Sequence, residues 1–255
     1  MSPEQQAYVK TEIENRLATI TFFHPAHNSL PGNLLADLAK AITEAGQKEE
    51  VGLIVLKSGG ERTFCAGASF DELIAIQDAE AGKRFFMGFA NVINAMRKCP
   101  KIILGRVQGK AVGGGVGLAA ATDYCIATKY ASIKLSELAV GIGPFVVGPA
   151  IERKMGVSAM SQLALNATEW RTAEWAKNHA LFAEVFESTE QTDAYIEDFS
   201  RRLLSFNPDA LMELKRTLWL GTEHWDELLE ERAATSGRLV LSDFARKAIE
   251  QFKKK

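Results

Sequence analysis

Residues Gly109–Asp123, GKAVGGGVGLAAATD, decide how the rest of the chain is read. They follow an apolar run, Lys101–Val107 (KIILGRV), of the kind that forms a buried strand. They contain Val116–Ala121, a small-residue segment with good helix propensity. The consecutive glycines Gly113, Gly114 and Gly115 permit positive φ and let a ligand approach the main chain closely. A strand, a glycine turn and a helix start leave the first helical N–H groups unpaired and aimed outward, which suits a phosphate or an oxyanion. The same glycines would also let a helix pack tightly on a sheet.

Outward from this stretch the chain alternates between strand and helix signals. Tyr8–Glu14 and Arg16–Phe23 read as a hairpin turning at Asn15 and Arg16. The loop HPAHNSLP (His24–Pro31) precedes a helix carried by Leu34, Leu35, Leu38, Ile42 and Ala45. Gly52–Leu56 is a short strand of the doubly buried type. A second glycine-rich loop, Ser58–Leu73, feeds a helix capped by Ser69, with Glu72 as its capping-box partner. A long helix then spans about Ala79–Arg97. After the central stretch, Asp123–Ala127 and Ala131–Leu135 read as strands, and from Ile151 onward helix dominates. Strand, strand, helix recurs three times before residue 125, which predicts an α/β core over residues 1–190 and a helical region over 191–255.

The chain has 255 residues, 47% hydrophobic and 24% charged, enough for one substantial core. A net charge of −2 gives no global electrostatic case for nucleic acid or an anionic membrane. The cysteines Cys65, Cys99 and Cys125 are odd in number and far apart, so neither a disulfide framework nor a metal cluster is expected. The histidines His24, His27, His179 and His224 never fall at metal-ligand spacing. Gly105–Lys110 is one residue short of a phosphate-binding loop, and no dinucleotide fingerprint or nucleophile elbow is present. The start of the sequence lacks a signal-type pattern and no apolar run reaches membrane-spanning length, so a cytoplasmic protein is expected.

What remains is a pair of strand-to-helix turns able to donate backbone N–H groups, and one carboxylate, Glu137, in KLSELAVGIGP. Glu137 follows a strand, where sites commonly lie in α/β sheets. Its apolar neighbours Leu135, Leu138 and Val140 would raise its pKa and suit it to proton transfer near neutral pH. A helix cap, or an ion pair with a lysine on the surface, would also account for it.

These residues resemble the crotonase superfamily, the enoyl-CoA hydratase/isomerase family. FCAGASFDEL (Phe64–Leu73) resembles that family's A-G-A-D-[IL]-x-E-[ML] loop, and Lys101–Gly115 is similar to its second glycine signature, with Asp123 in place. PAHNSL (Pro25–Leu30) and the tail LSDFARKAIEQFKKK (Leu241–Lys255) resemble its remaining elements, with Arg246 and Lys247 replacing E-G. The resemblance covers nearly the whole chain and implies a spiral of repeated ββα units with a helical C-terminal oligomerisation region that builds trimers or dimers of trimers. It implies an acyl-CoA thioester substrate, no cofactor beyond the coenzyme A that the substrate carries, and no metal. The N–H groups of Ala68 and Gly114 would hold the thioester carbonyl as it becomes an enolate, one such donor being worth about 2.7–4 kcal/mol. Glu137 would move the proton. Ala26, His27, Ala66 and Phe70 would line the acyl-CoA site, with Phe252 and Lys253 of the last helix reaching it from a neighbouring subunit.

Two departures from the pattern bear on the chemistry. Hydratases of this family carry one glutamate two positions after the glycine run and another at position 137; here the first place is Gly117. The glycine-rich segment that follows the second glutamate is replaced by Gly143–Pro149 (GPFVVGP), which makes the pocket wall bulkier and more apolar. The activity expected from the resemblance is enoyl-CoA hydration, placed slightly ahead of β,γ-to-α,β isomerisation with Glu137 as the only acid/base. A weakly catalytic acyl-CoA- or RNA-binding relative is the third alternative.

Overall fold

The computed structural model describes residues 6–253, with side chains as far as Gln251. The chain opens with the hairpin β1 (Tyr8–Glu14) and β2 (Leu17–Phe23), paired in antiparallel register. Asn15 and Arg16 sit at φ 50° and 67°, the two-residue turn whose twist matches its strands. Next come β3 (Ser29–Leu30) and α1 (Gly32–Gln47), with Pro31 as N-cap. A second unit holds β4 (Leu53–Ser58), β5 (Thr63–Cys65), β6 (Gly67–Ala68), α2 (Phe70–Ile74) and α3 (Ala79–Lys98). A third holds β7 (Ile102–Val107), β8 (Lys110–Val112) and α4 (Gly114–Ala121). The fourth holds β9 (Tyr124–Thr128), β10 (Ser132–Lys134), a 3₁₀ turn (Glu137–Val140) and α5 (Gly148–Leu165). The chain then runs through β11 (Arg171–Thr172), α6 (Ala173–Asn178), β12 (Glu184–Phe186), α7 (Thr189–Leu204), α8 (Pro208–Leu218), α9 (Trp225–Leu239) and α10 (Asp243–Lys253).

The repeat is visible in how the units stack. β2, β4, β7 and β9 advance by parallel pairing through a six-stranded sheet ordered β1-β2-β4-β7-β9-β12. The second strands of the later units, β5, β8 and β10, pair side by side in a smaller sheet that β11 closes. Every residue of β7 is buried, as its continuous apolar run predicts for a strand flanked on both edges and covered on both faces. α1 buries Leu34, Leu35, Leu38, Ile42 and Ala45, the residues picked out by helical spacing. Cys65, Cys99 and Cys125 are buried free thiols.

The helices after residue 190 are layered onto this core. α7 brings Ile196 onto the face of the large sheet formed by Leu53, Val55, Ile102, Leu104 and Ile126. α9 runs against α3, crossing where Gly82 meets Gly237: a Cβ on Gly82 would lie 2.7 Å from the Gly237 Cα. α10 packs on its own chain's 3₁₀ turn. The buried Asp123 carboxylate, at the end of the glycine stretch, ties α8 to the core. It accepts from Lys215 Nζ at 2.7 Å, from Trp219 Nε1 at 2.7 Å and from the Ile103 backbone N–H at 2.7 Å. Lys215 also donates to the Met96 carbonyl, so this buried pair has its hydrogen bonds met.

One local expectation is corrected. Ser69 does cap α2, its Oγ accepting from the Glu72 N–H, but the Glu72 side chain does not return the bond. The Glu72 carboxylate accepts instead from the Gly32 N–H, capping α1, while the Ser69 N–H goes to the Leu30 carbonyl. Gly117 does not aim at open space. A Cβ there would lie 2.5 Å from Val147 Cγ1, so the place that a side chain from α4 would need is already filled.

Candidate active site

The glycine turn is built by tight contacts that only glycine permits. Gly113 takes φ 51° and serves as N-cap of α4, and its own N–H donates to the Lys134 carbonyl. A Cβ on Gly115 would strike the Cys65 carbonyl at 2.5 Å, and one on Gly114 would run into the Phe89 ring. α4 is thereby pressed between β5 and α3. The Gly114 N–H, first in its helix, finds no acceptor among the described residues and carries the positive end of the helix dipole. The second turn lies against the first: Gly67, at φ 93°, has its Cα beside the Val112 carbonyl and the Gly114 nitrogen. β6 continues from it to Ala68, held in parallel register with Leu30 of β3.

Glu137 completes the cluster. Its 3₁₀ turn ends at Gly141, at φ 77°, whose bare Cα lets Phe244 and Ala245 of α10 close in. The carboxylate rests on Gly113: a Cβ there would stand 2.8 Å from Glu137 Oε1. Oε2 is buried with no hydrogen-bond partner. Burial in this apolar setting pushes the carboxyl from its ordinary 4.5 up to about 7, against a smaller opposing pull from its own backbone N–H. A carboxyl poised there takes or gives a proton near neutral pH.

These groups share one cavity of about 210 Å³. Of the residues picked out from the sequence, Ala66, Ala68, Phe70, Gly114 and Glu137 line it together. Ala26 and His27 do not; they lie on the exposed β2–β3 turn, His27 at φ 54°. Asn28 fastens that turn beside the site, its Nδ2 donating to the Gly59 and Thr63 carbonyls and its own carbonyl accepting from the Ala66 N–H. The side chains of Phe252 and Lys253 lie outside the described residues.

Other walls of the cavity are absent from the sequence reading. α3 contributes Phe85, Phe86 and Phe89, the turn after Glu137 contributes Val140 and Ile142, and α9 contributes Ser236. The helical period of α3 marks its apolar face but does not separate residues facing core from residues facing a cavity. Ser236 carried no signal at all. Pro144, Phe145, Val146 and Val147 also line the space, as the bulky GPFVVGP departure foreshadowed. Among the described residues, no group of three or more His, Cys, Asp or Glu side chains is placed to hold a metal ion, and no helix is long and apolar enough to cross a membrane.

The profile of the enoyl-CoA hydratase/isomerase family matches residues 12–253. The human mitochondrial methylglutaconyl-CoA hydratase is 30% identical over 230 residues, covering 88% of this chain and 67% of that protein. The peroxisomal Delta(3,5)-Delta(2,4)-dienoyl-CoA isomerase of Arabidopsis thaliana is 26% identical, covering 96% of this chain and 94% of that protein. The crystal structure of an enoyl-CoA hydratase from Bacillus halodurans superposes with a TM-score of 0.89 at 23% identity, covering 96% of this chain and 99% of that one. With its stacked ββα units, paired glycine turns and a profile match over nearly its whole length, the chain is a member of the enoyl-CoA hydratase/isomerase family, within the crotonase superfamily.

Proposed function

We propose that this protein moves a double bond in an acyl-CoA thioester, converting a β,γ-enoyl to an α,β-enoyl group, with Glu137 as sole acid and base. Among the described residues Glu137 is the only ionisable side chain lining the cavity, and that observation carries the assignment. The thioester carbonyl accepts from the Gly114 and Ala68 N–H groups, which stabilise the oxyanion of a dienolate. The Glu137 carboxylate takes a proton from the α-carbon, and electrons shift onto the carbonyl oxygen. The same carboxyl then returns a proton to the γ-carbon as the enolate collapses. No water enters and the atoms balance.

Hydration, placed first on the sequence alone, asks for a group that orients water while Glu137 serves carbon. Val147 occupies the space beside Gly117 from which a second carboxylate would reach, and among the described residues only the side-chain hydroxyls of Ser136 and Ser236 remain. Ser236 already donates to the Arg232 carbonyl. Hydration therefore becomes the second reading, favoured by the hydratases among the relatives. Assays with 3-hexenoyl-CoA and trans-2-hexenoyl-CoA separate the two. Isomerisation should exceed hydration by at least about a hundredfold, and deuterium placed at the α-carbon should appear in part at the γ-carbon. Hydration as fast as isomerisation would reverse the order. Self-association is part of the same proposal: exposed Val157, Leu165, Phe206, Leu214 and Leu220 offer apolar surface for it, and light scattering on the eluting protein would report the trimer.

A further inference from the structure

The acyl chamber is uncharged apart from the proton-transfer carboxyl itself. No Lys, Arg or His lines it among the described residues; the other side chains facing it are Ala, Phe, Leu, Val, Ile and Pro, with two serines. Val147 is part of this wall and is 4% exposed, and its methyl groups rest on Gly117. It therefore separates the chamber from Gly117 in α4 and ends the space available in that direction.

We infer that the substrate is an uncharged hydrocarbon acyl group, that acyl groups ending in a carboxylate are rejected, and that Val147 on Gly117 sets how long a chain fits. This rests on the acyl-CoA site proposed above. A carboxylate at the tip of the acyl chain would be buried with no cation or donor cluster to replace its water, a heavy cost for a charged group. It would also share a low-dielectric space with Glu137, adding like-charge repulsion. A methyl group at the same place gains from burial instead.

Hexanoyl-CoA and adipoyl-CoA make a matched pair, both with six-carbon acyl chains and differing in a terminal methyl against a terminal carboxylate. Titration calorimetry on the full chain at pH 7.5 should show hexanoyl-CoA binding at least about 30-fold more tightly. Equal affinity, or preference for adipoyl-CoA, would overturn the assignment. Preference for adipoyl-CoA would point to Arg232, whose Nε is buried without a partner one turn from Ser236. Val147→Ala should raise the affinity of octanoyl-CoA relative to hexanoyl-CoA at least about fourfold, the worth of one buried methylene. Val147→Ile should move that ratio the other way. Ratios unmoved in both folded variants would remove Val147 from the role. Neither saturated probe has a double bond to move. Discrimination without isomerisation would thus sink only the reaction proposed above, and isomerisation without discrimination only the substrate class. Failure of both thioesters to bind would sink both.

Discussion

Replacing the buried carboxyl with its amide, Glu137→Gln, should stabilise the protein at alkaline pH while removing its activity. Burial lifts the Glu137 carboxyl from 4.5 to about 7. In the unfolded chain it titrates at its ordinary value, so between pH 4.5 and 7 unfolding releases a proton that the folded state holds. Stability therefore falls as pH rises through that window. At 1.36 kcal/mol per unit, the full penalty above pH 7 is about 3 kcal/mol. Glutamine carries no such proton and escapes it. Urea unfolding of both proteins from pH 4.5 to 8 should give a stability difference that grows by about 3 kcal/mol in favour of the variant. In a thermal scan this corresponds to roughly 6 °C for a chain of this size. Turnover by the variant should fall at least about a hundredfold with hexanoyl-CoA affinity kept. Stability curves that run parallel from pH 4.5 to 8 would show that the carboxyl is not buried as described, and its poise for proton transfer would go with it.

Three further substitutions probe the frame. Gly117→Glu should fail to fold, because its Cβ lands on Val147; Gly117→Glu combined with Val147→Gly should regain a native circular dichroism spectrum and raise the ratio of hydration to isomerisation at least about tenfold. A stable, folded single variant would contradict the contact. Lys215→Met leaves the buried Asp123 without its counter-charge and should cost about 3–5 kcal/mol in urea unfolding, with a loss below about 1 kcal/mol counting against the network. Gly114→Ala overpacks against Phe89 and should cost about 1–3 kcal/mol, partly relieved by Phe89→Leu; a double variant no more stable than the single one would show that the ring is not the obstacle.

The strands and helices were legible because their periods are strong and their turns use local chemistry, as at Asn15, Pro31 and Ser69. Glu137 and Gly114 were legible as candidates because each sits at the end of a strand in a glycine-rich context. What escaped was set by contacts between segments distant in sequence. Nothing near Glu72 says that its carboxylate will reach Gly32, forty residues back, rather than Ser69 beside it. Nothing near Gly117 says that Val147 will fill its neighbourhood. The faces of Phe85, Phe86 and Phe89 are fixed only once α4 has been pressed onto α3 by the Gly114 contact.

The crossing of Gly82 and Gly237 has a consequence in time. Ser236, its immediate neighbour, is one wall of the cavity, yet it is synthesised 99 residues after Glu137. A nascent chain that has just released the glycine turns and the acid already holds every group proposed to act on substrate. It still has water where α9 and α10 will lie. Ser236 of α9, and Phe244 and Ala245 of α10 beside Gly141, thus take their places around the site only when the final helices settle.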